Sequence, residues 1–352
     1  METGPTPLSP HEVDAFFQAA SETYERAARI PISRDFRIGG QLVRLSFAGP
    51  ALVPSITPAF AHLAVAPTCD EPDLTICVWD SLSTGTRMPR PPWPEEAYRQ
   101  RNSVNFGDGD IRGAFFHWTG VLNLLDFGHR RGFFWIHDAA CLPDFEHATP
   151  FLPIFNWWMT RHGRQLTHSA AVGTREGGLL IVGGGGAGKS TTALTGFSAG
   201  LLYAGDDYCL VAQEPLPYVY SLYSSIRTEP AGMRARFPHL MPSVANPTRL
   251  DSEKALLFLQ ECDPARVATG FPVRAVLIPS ITGRAETTIG PATPAAGLRA
   301  TAPTTLLRFP GAGAAELGLI AGFLRQVPCY HLQLGTDLEG VAQALQKLLP
   351  ER

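Results

Sequence analysis

Lysine is nearly missing from this 352-residue chain: of 29 basic residues only Lys189, Lys254 and Lys347 are lysine, and the other 26 are arginine. The composition favours arginine wherever any positive charge will serve, so each lysine asks for a reason. Charge as a whole is sparse, 17 % of residues against about 25 % in an average soluble protein. A net charge of −3 lacks the basic surplus that a general nucleic-acid binder presents to phosphates, so no nucleic-acid partner is expected. No uninterrupted apolar run reaches the ~18 residues of a membrane span, and no membrane partner is expected. The opening METGPTPLSP lacks the basic-then-apolar order of a secretory signal peptide. Cys69, Cys77, Cys141, Cys209, Cys262 and Cys329 are scattered with no CxxC pair. That spacing reads as reduced thiols of a cytoplasmic protein rather than a disulfide framework or a zinc site.

What is present supports a folded chain of two domains. Hydrophobic residues make up 45 %, enough for real cores. Ser9, Pro10 and Glu12 form a helix start with a capping box, and Val13, Phe16, Phe17, Ala20 and Tyr24 follow at helical spacing. FRIGGQLVRLSF, LTICVWD, VLNLLDF and GFFWIHDA are short strand-like runs, and the Pro- and Gly-rich LSTGTRMPRPPW between them is a loop. Residues 1–145 therefore read as an α+β domain. PFLPIFNWWMTRHG, 150–163, reads as a helix ending at Gly163, with Trp157 and Trp158 in packing roles. From His168 onward strand and helix signals alternate, so residues 164–352 read as a second, α/β domain.

The chemistry is concentrated in LLIVGGGGAGKSTTALTGF, where Gly183, Gly188, Lys189 and Ser190 satisfy G-x-x-x-x-G-K-[ST]. The strand-like Leu179–Val182 before it and the helical Thr191–Leu194 after it supply the strand–loop–helix order that the motif requires. Gly183, Gly184, Gly185, Gly186, Ala187 and Gly188 let successive N–H groups face one concavity, and the helix start through Thr191 completes an anion site. Lys189 brings a compact charge to the β- and γ-phosphates, a role the planar arginine fork fills poorly. That explains one lysine in an arginine-rich chain. Ser190 can bind Mg²⁺ through its hydroxyl.

Asp206 and Asp207 follow Ser190 by 16 and 17 residues, near the start of the strand-like run LLYAGDDYCLV. Adjacent carboxylates tend to drive their pKa values apart, which suits one to a metal and one to a proton. His168, in THSAAVG, precedes the motif strand and by itself reads as structural or surface-exposed more readily than functional.

Taken together, His168, GGGGAGKS at 183–190 and Gly205-Asp206-Asp207 resemble the HPr kinase/phosphorylase family, whose fold is similar to the nucleotide domain of phosphoenolpyruvate carboxykinase. SLYSS (221–225), DSEKALLFL (251–259), VRAVLIPSITG (273–283) and VPCYHLQLG (327–335) look like the HPr-kinase-related serine kinases found with peptide-modification genes, including those of lasso-peptide clusters. The resemblance implies a P-loop kinase domain over 164–352, preceded by an α+β N-terminal domain. It implies transfer of phosphate from ATP, with Mg²⁺, to a serine of a peptide or small protein. HPr kinases are hexamers, so it also brings in a homo-oligomer as a partner. Carried across by position, Asp206 is the base for the acceptor hydroxyl and Asp207 helps Ser190 hold Mg²⁺, two roles that can be exchanged; His168 lies near the phosphates.

The chain also departs from that pattern. It lacks the Glu-Ile-Arg-Gly-like run of bacterial HPr kinases, and the nearest piece is Ser225-Ile226-Arg227-Thr228-Glu229. That puts HPr itself in doubt as the substrate and leaves Arg227 with two readings, a group that neutralises transferred charge or, more commonly, a surface arginine. Lys254 has two readings, a phosphate contact or a pair with Asp251 or Glu253. Lys347 belongs to a final amphipathic helix through Leu338, Val341, Leu345 and Leu348, opened by a Thr336/Glu339 capping box. The expected function is an ATP-dependent serine kinase for a peptide or protein, a ribosomal lasso-type precursor peptide being one such acceptor. The alternatives are a kinase of a small-metabolite hydroxyl and a non-catalytic nucleotide-binding scaffold. The N-terminal domain carries no catalytic motif and reads as a substrate-recognition module.

Overall fold

Ser9 caps the first helix as its sequence dictates: its hydroxyl accepts from the Glu12 backbone at 3.3 Å while the Glu12 carboxylate accepts from the Ser9 backbone at 2.9 Å. The helix runs Pro10–Ala27. The structure, a computed structural model, describes residues 8–93, 103–306 and 313–349. It is a mixed α/β protein of two units. The first comprises 1–57 and 64–158; the second comprises 58–63 and 159–352. The first therefore runs past 145, and the second reclaims six residues from the N-terminal half. The ends of the chain, including the first seven residues of METGPTPLSP, lie outside the described residues.

Among the described residues of the first unit eight strands form one sheet. Its order is Ala64–Val65, Ile32–Ile38, Gln41–Phe47, Leu74–Asp80, Arg131–Ile136, Val121–Asp126, Ile111–Phe116 and Ser103–Phe106. Leu74–Asp80 is parallel to both its neighbours, and the other pairs are antiparallel. A strand with parallel partners on both sides needs cover, because its side chains on either face are buried. The first helix covers one face, with Phe17 against Phe133 at 5.1 Å and Tyr24 against Trp79 at 6.1 Å between ring centres. The helix Leu152–Arg161 buries Trp157 and Trp158. Trp158 stacks on Phe127 at 6.1 Å and donates its indole N–H to Gln41, so the two tryptophans pack as their apolar run predicts.

The second unit holds a sheet centred on Gly177–Val182. Ser169–Thr174 pairs it antiparallel on one side, and the long Gly270–Ile281 pairs it parallel on the other. Beyond Ser169–Thr174 lies Leu202–Gly205, antiparallel at the edge. Beyond Gly270–Ile281 lie Cys329–Leu334, parallel, and Thr288–Ala292, antiparallel. The early residues of Gly270–Ile281 also lead through Tyr218–Tyr220 and Cys209–Ala212 to Gln165–Thr167. Alternation in the central strand sends Leu179 and Ile181 to one core and Leu180 and Val182 to the other. The first core is closed by Leu194 and Phe197 of the helix Lys189–Ser198 and by Val341 and Leu345 of the final helix Leu338–Gln346. The second is closed by Ile320, Phe323 and Leu324 of the helix Ala314–Gln326. The final helix is capped by Asp337, whose carboxylate accepts from the Glu339 and Gly340 backbones. The cap thus falls one residue after the expected Thr336. Among the described residues no helix is long and apolar enough to cross a membrane.

Candidate active site

The antiparallel register of Ser169–Thr174 decides where the chemistry collects. Ser169 faces Val182, and Ala171 faces Gly205. The start of that strand therefore lies level with the ends of both neighbours. His168, the glycine-rich loop and Asp206-Asp207 all emerge at one end of the sheet, though they come from three separate stretches of sequence.

The loop turns between Val182 and the helix that begins at Lys189. Gly188 carries the decisive bend, at φ 102° in the left-handed region where a side chain is strained. Lys189 is buried, and its ammonium donates to the Gly183 carbonyl at 2.8 Å and the Gly184 carbonyl at 3.1 Å. The charge is thus fixed over the concavity instead of wandering in solvent. Thr192 donates to the Gly188 carbonyl at 2.8 Å, which closes the first turn.

Asp206 is 1 % exposed, and neither carboxylate oxygen meets a partner in good hydrogen-bond geometry. Burial first and the neighbouring Asp207 charge second push its pKa up to about 7, with Ser190 and Lys189 close enough to hold it back in part. Asp207 goes the other way. Burial works to raise it, but the His168 hydrogen bond and charge, with Arg227 and Lys189, together bring it below the usual carboxylate value. His168 Nε2 stands 3.6 Å from Asp207 Oδ1. Asp207 sits at φ 60°, an unusual backbone for a residue with a side chain, of the kind that clusters at functional sites.

Of the residues singled out by sequence, His168, Lys189, Ser190, Asp206, Asp207 and Arg227 come together here. Arg227 lies on Ser225–Thr228, which pairs with Ala255–Phe258 in a two-stranded ladder. Its charge reaches Asp207, and its Nε is buried without a hydrogen-bond partner. Lys254 goes elsewhere. It lies just before Ala255–Phe258 and meets Glu229 at 3.4 Å, with half of its side chain exposed. Its partner is neither Asp251 nor Glu253. Lys347 is the C-cap residue of the final helix and lies exposed.

Two supporting residues carry no sequence signal. Thr305 accepts the His168 backbone N–H through its hydroxyl at 3.1 Å, 137 residues away along the chain. Tyr203, wholly buried, donates its hydroxyl to the Ser225 carbonyl at 2.5 Å. It thereby ties the strand that leads to Asp206 to the strand that carries Arg227. Only the fold brings such distant partners together.

The donors suit a hard cation. A buried carboxylate with two unsatisfied oxygens lies beside the Ser190 hydroxyl, and a second aspartate is adjacent, all oxygen ligands of the kind Mg²⁺ takes. Among the described residues no group of three His, Cys, Asp or Glu side chains could hold a metal unaided.

No protein-family model and no curated protein matches the chain. Among solved structures it is similar to the Hpr(Ser) kinase/phosphatase from Coxiella burnetii, at 9 % identity and a TM-score of 0.30, over 52 % of this chain and 95 % of that one. At that score the likeness carries no weight for activity.

Proposed function

We propose that the chain is an ATP-dependent phosphotransferase that passes the γ-phosphate to a hydroxyl, in the leading case a serine of a peptide or small protein. The observation that carries this reading is the convergence of His168, Lys189, Asp206, Asp207 and Arg227 on one end of one sheet beside a glycine-rich helix start. Phosphoryl transfer asks chiefly for positioning and charge neutralisation, and these groups supply both. The loop N–H groups and Lys189 hold the phosphates. Asp206, with a pKa near 7, takes the proton of the acceptor hydroxyl as its oxygen bonds to phosphorus and the bond to ADP breaks. Arg227 faces the charge that spreads over the transferred group. His168 holds Asp207 ionised. Ser190 and Asp207 would hold Mg²⁺, which when bound supplies neutralisation of the phosphate oxygens; the two aspartates can exchange roles, and Asp206, beside Ser190, is then the ligand and Asp207 the base. The serine acceptor follows from the resemblance carried by His168, residues 183–190 and Gly205-Asp206-Asp207.

The test is transfer of labelled γ-phosphate from ATP with Mg²⁺ to serine-containing peptides, with mass spectrometry to locate the phosphate. Lys189→Ala and Asp206→Asn are each expected to abolish detectable transfer while the far-ultraviolet circular dichroism is unchanged. Loss of a general base alone typically costs about 10²–10⁴-fold. Full activity in Asp206→Asn would remove Asp206 from the role of base.

A further inference from the structure

We infer that the base and ribose of the nucleotide lie against an apolar shelf at the carboxyl ends of Gly270–Ile281 and Cys329–Leu334, with Ile281 the side chain that the base covers. This rests on the reading of residues 183–190 as the phosphate cradle.

The strand that feeds the loop has chemically different neighbours. On one side, Ser169–Thr174 and Leu202–Gly205 bring His168, Asp206 and Asp207. The phosphate that is transferred must sit on that side, because the base and the charges that serve it are there. A triphosphate is a linear chain, so the end that bears ribose and base leaves the loop on the other side, toward Gly270–Ile281. The side chains that a Cβ on the loop glycines would meet there are apolar. A Cβ on Gly183 would lie 3.8 Å from the Pro279 ring, and one on Gly188 would lie 3.6 Å from Ile281 Cγ1 and closer still to Leu334. Ile281 is paired in register with Leu334, and the two strands run parallel to the loop strand and end beside it. The carboxyl edge of parallel strands is where open α/β sheets take their ligands.

Exposure separates the two side chains. Leu334 is buried in the core, whereas Ile281 is 67 % exposed. Among the described residues six large hydrophobic side chains are exposed, only Ile30 more so than Ile281, and of the six it is Ile281 that adjoins the glycine loop. A stiff β-branched side chain at a strand end offers a fixed apolar surface, and covering it with a flat aromatic ring removes apolar area from water on both partners.

The experiment separates base from phosphate. Binding of ADP and of inorganic pyrophosphate, each with Mg²⁺, is measured by calorimetry for the intact chain and for Ile281→Asp, Ile281→Ser and Lys189→Ala. Ile281→Asp and Ile281→Ser, changes at an exposed position, are expected to weaken ADP about tenfold or more and to leave pyrophosphate unchanged. Lys189→Ala is expected to weaken both ligands. Unchanged ADP affinity in both Ile281 variants overturns the shelf. A parallel loss of pyrophosphate also overturns it, because the substitution would then act through the loop. If the intact chain binds neither ligand, the phosphate-cradle reading itself fails, a result distinct from the other two.

Discussion

A carboxyl group without a hydrogen bond of good geometry, 1 % exposed and next to a second carboxylate, works against the fold that holds it. Asp206 is such a group. Its pKa rises from 3.8 to about 7 on folding, so the folded chain binds the proton more tightly than the unfolded chain does. The sign follows from linkage: its contribution to stability falls as pH rises from about 4 through about 7. Asp206→Asn is therefore expected to raise the melting temperature at pH 8, where the wild-type carboxylate is charged, and to have little effect near pH 4. Scanning calorimetry at the two pH values checks this, at about 2–4 °C for each kcal/mol recovered. A variant that gains stability as it loses transfer shows a site kept for function at a cost to stability. Lys254 is the contrasting residue. Its pair with Glu229 is exposed on both sides, and such pairs contribute little. Lys254→Arg should leave both melting temperature and transfer unchanged, and a fall in transfer would instead place Lys254 at a phosphate. Residue type and spacing made Lys189 and the two aspartates legible in the sequence. The left-handed backbone of Asp207 and the Thr305 hydroxyl behind His168 were not legible, since they depend on partners that only the fold brings close.

At the scale of elements, strand–loop–helix could be read from residue order because its parts are consecutive. Hydrophobic runs located the flanking strands, yet their order in space was hidden, and that order gives the loop a charged side and an apolar side. The glycines of the loop also differ in ways a motif does not show. Gly188 has φ 102°, and a Cβ there would lie 2.5 Å from Leu334 Cδ1; a Cβ on Gly185 would meet nothing within 4 Å. For Gly188→Ala the left-handed backbone costs about 1–2 kcal/mol, and displacing Leu334 adds about 1–3 kcal/mol of overpacking. Gly188→Ala should lower the melting temperature by several degrees and weaken pyrophosphate binding, whereas Gly185→Ala should melt with the wild type. Equal melting temperatures for all three proteins would show that the bend at Gly188 is not strained.

At the scale of the whole molecule, the sequence pattern suggests domains over 1–145 and 164–352, whereas the division into two compact units falls inside the helix Leu152–Arg161, and residues 58–63 cross over to the second unit. No local pattern could reveal that crossing. It is held by the Ser224 N–H on the Ala59 carbonyl at 2.8 Å and by a 2.6 Å hydrogen bond between His62 Nε2 and the Ser221 hydroxyl, 159 residues apart. The segment they secure leads directly into the strand that carries Arg227, so a cut at the apparent domain boundary removes a support of the site. It also makes the second unit sensitive to acid. Burial lowers the His62 pKa from 6.5 to about 3. The fold therefore holds the ring neutral, and the unfolded chain takes up a proton that the fold refuses. The stability this provides is fully present above about pH 6.5 and is lost as pH falls toward 3. Glu146 gives the first unit the opposite trend, because burial raises its pKa from 4.5 to about 8 and stability falls as pH rises through that range. Hydrogen exchange can follow the strands Gly177–Val182 and Val121–Asp126 separately across pH 4.5 to 8. His62→Gln, which keeps a side-chain amide for Ser221, should flatten the acid-side loss in Gly177–Val182 and leave Val121–Asp126 unchanged. Glu146→Gln should raise protection of Val121–Asp126 at pH 8. If His62→Gln leaves the acid-side slope of Gly177–Val182 as steep as in the wild type, His62 is not the group that the fold keeps neutral there.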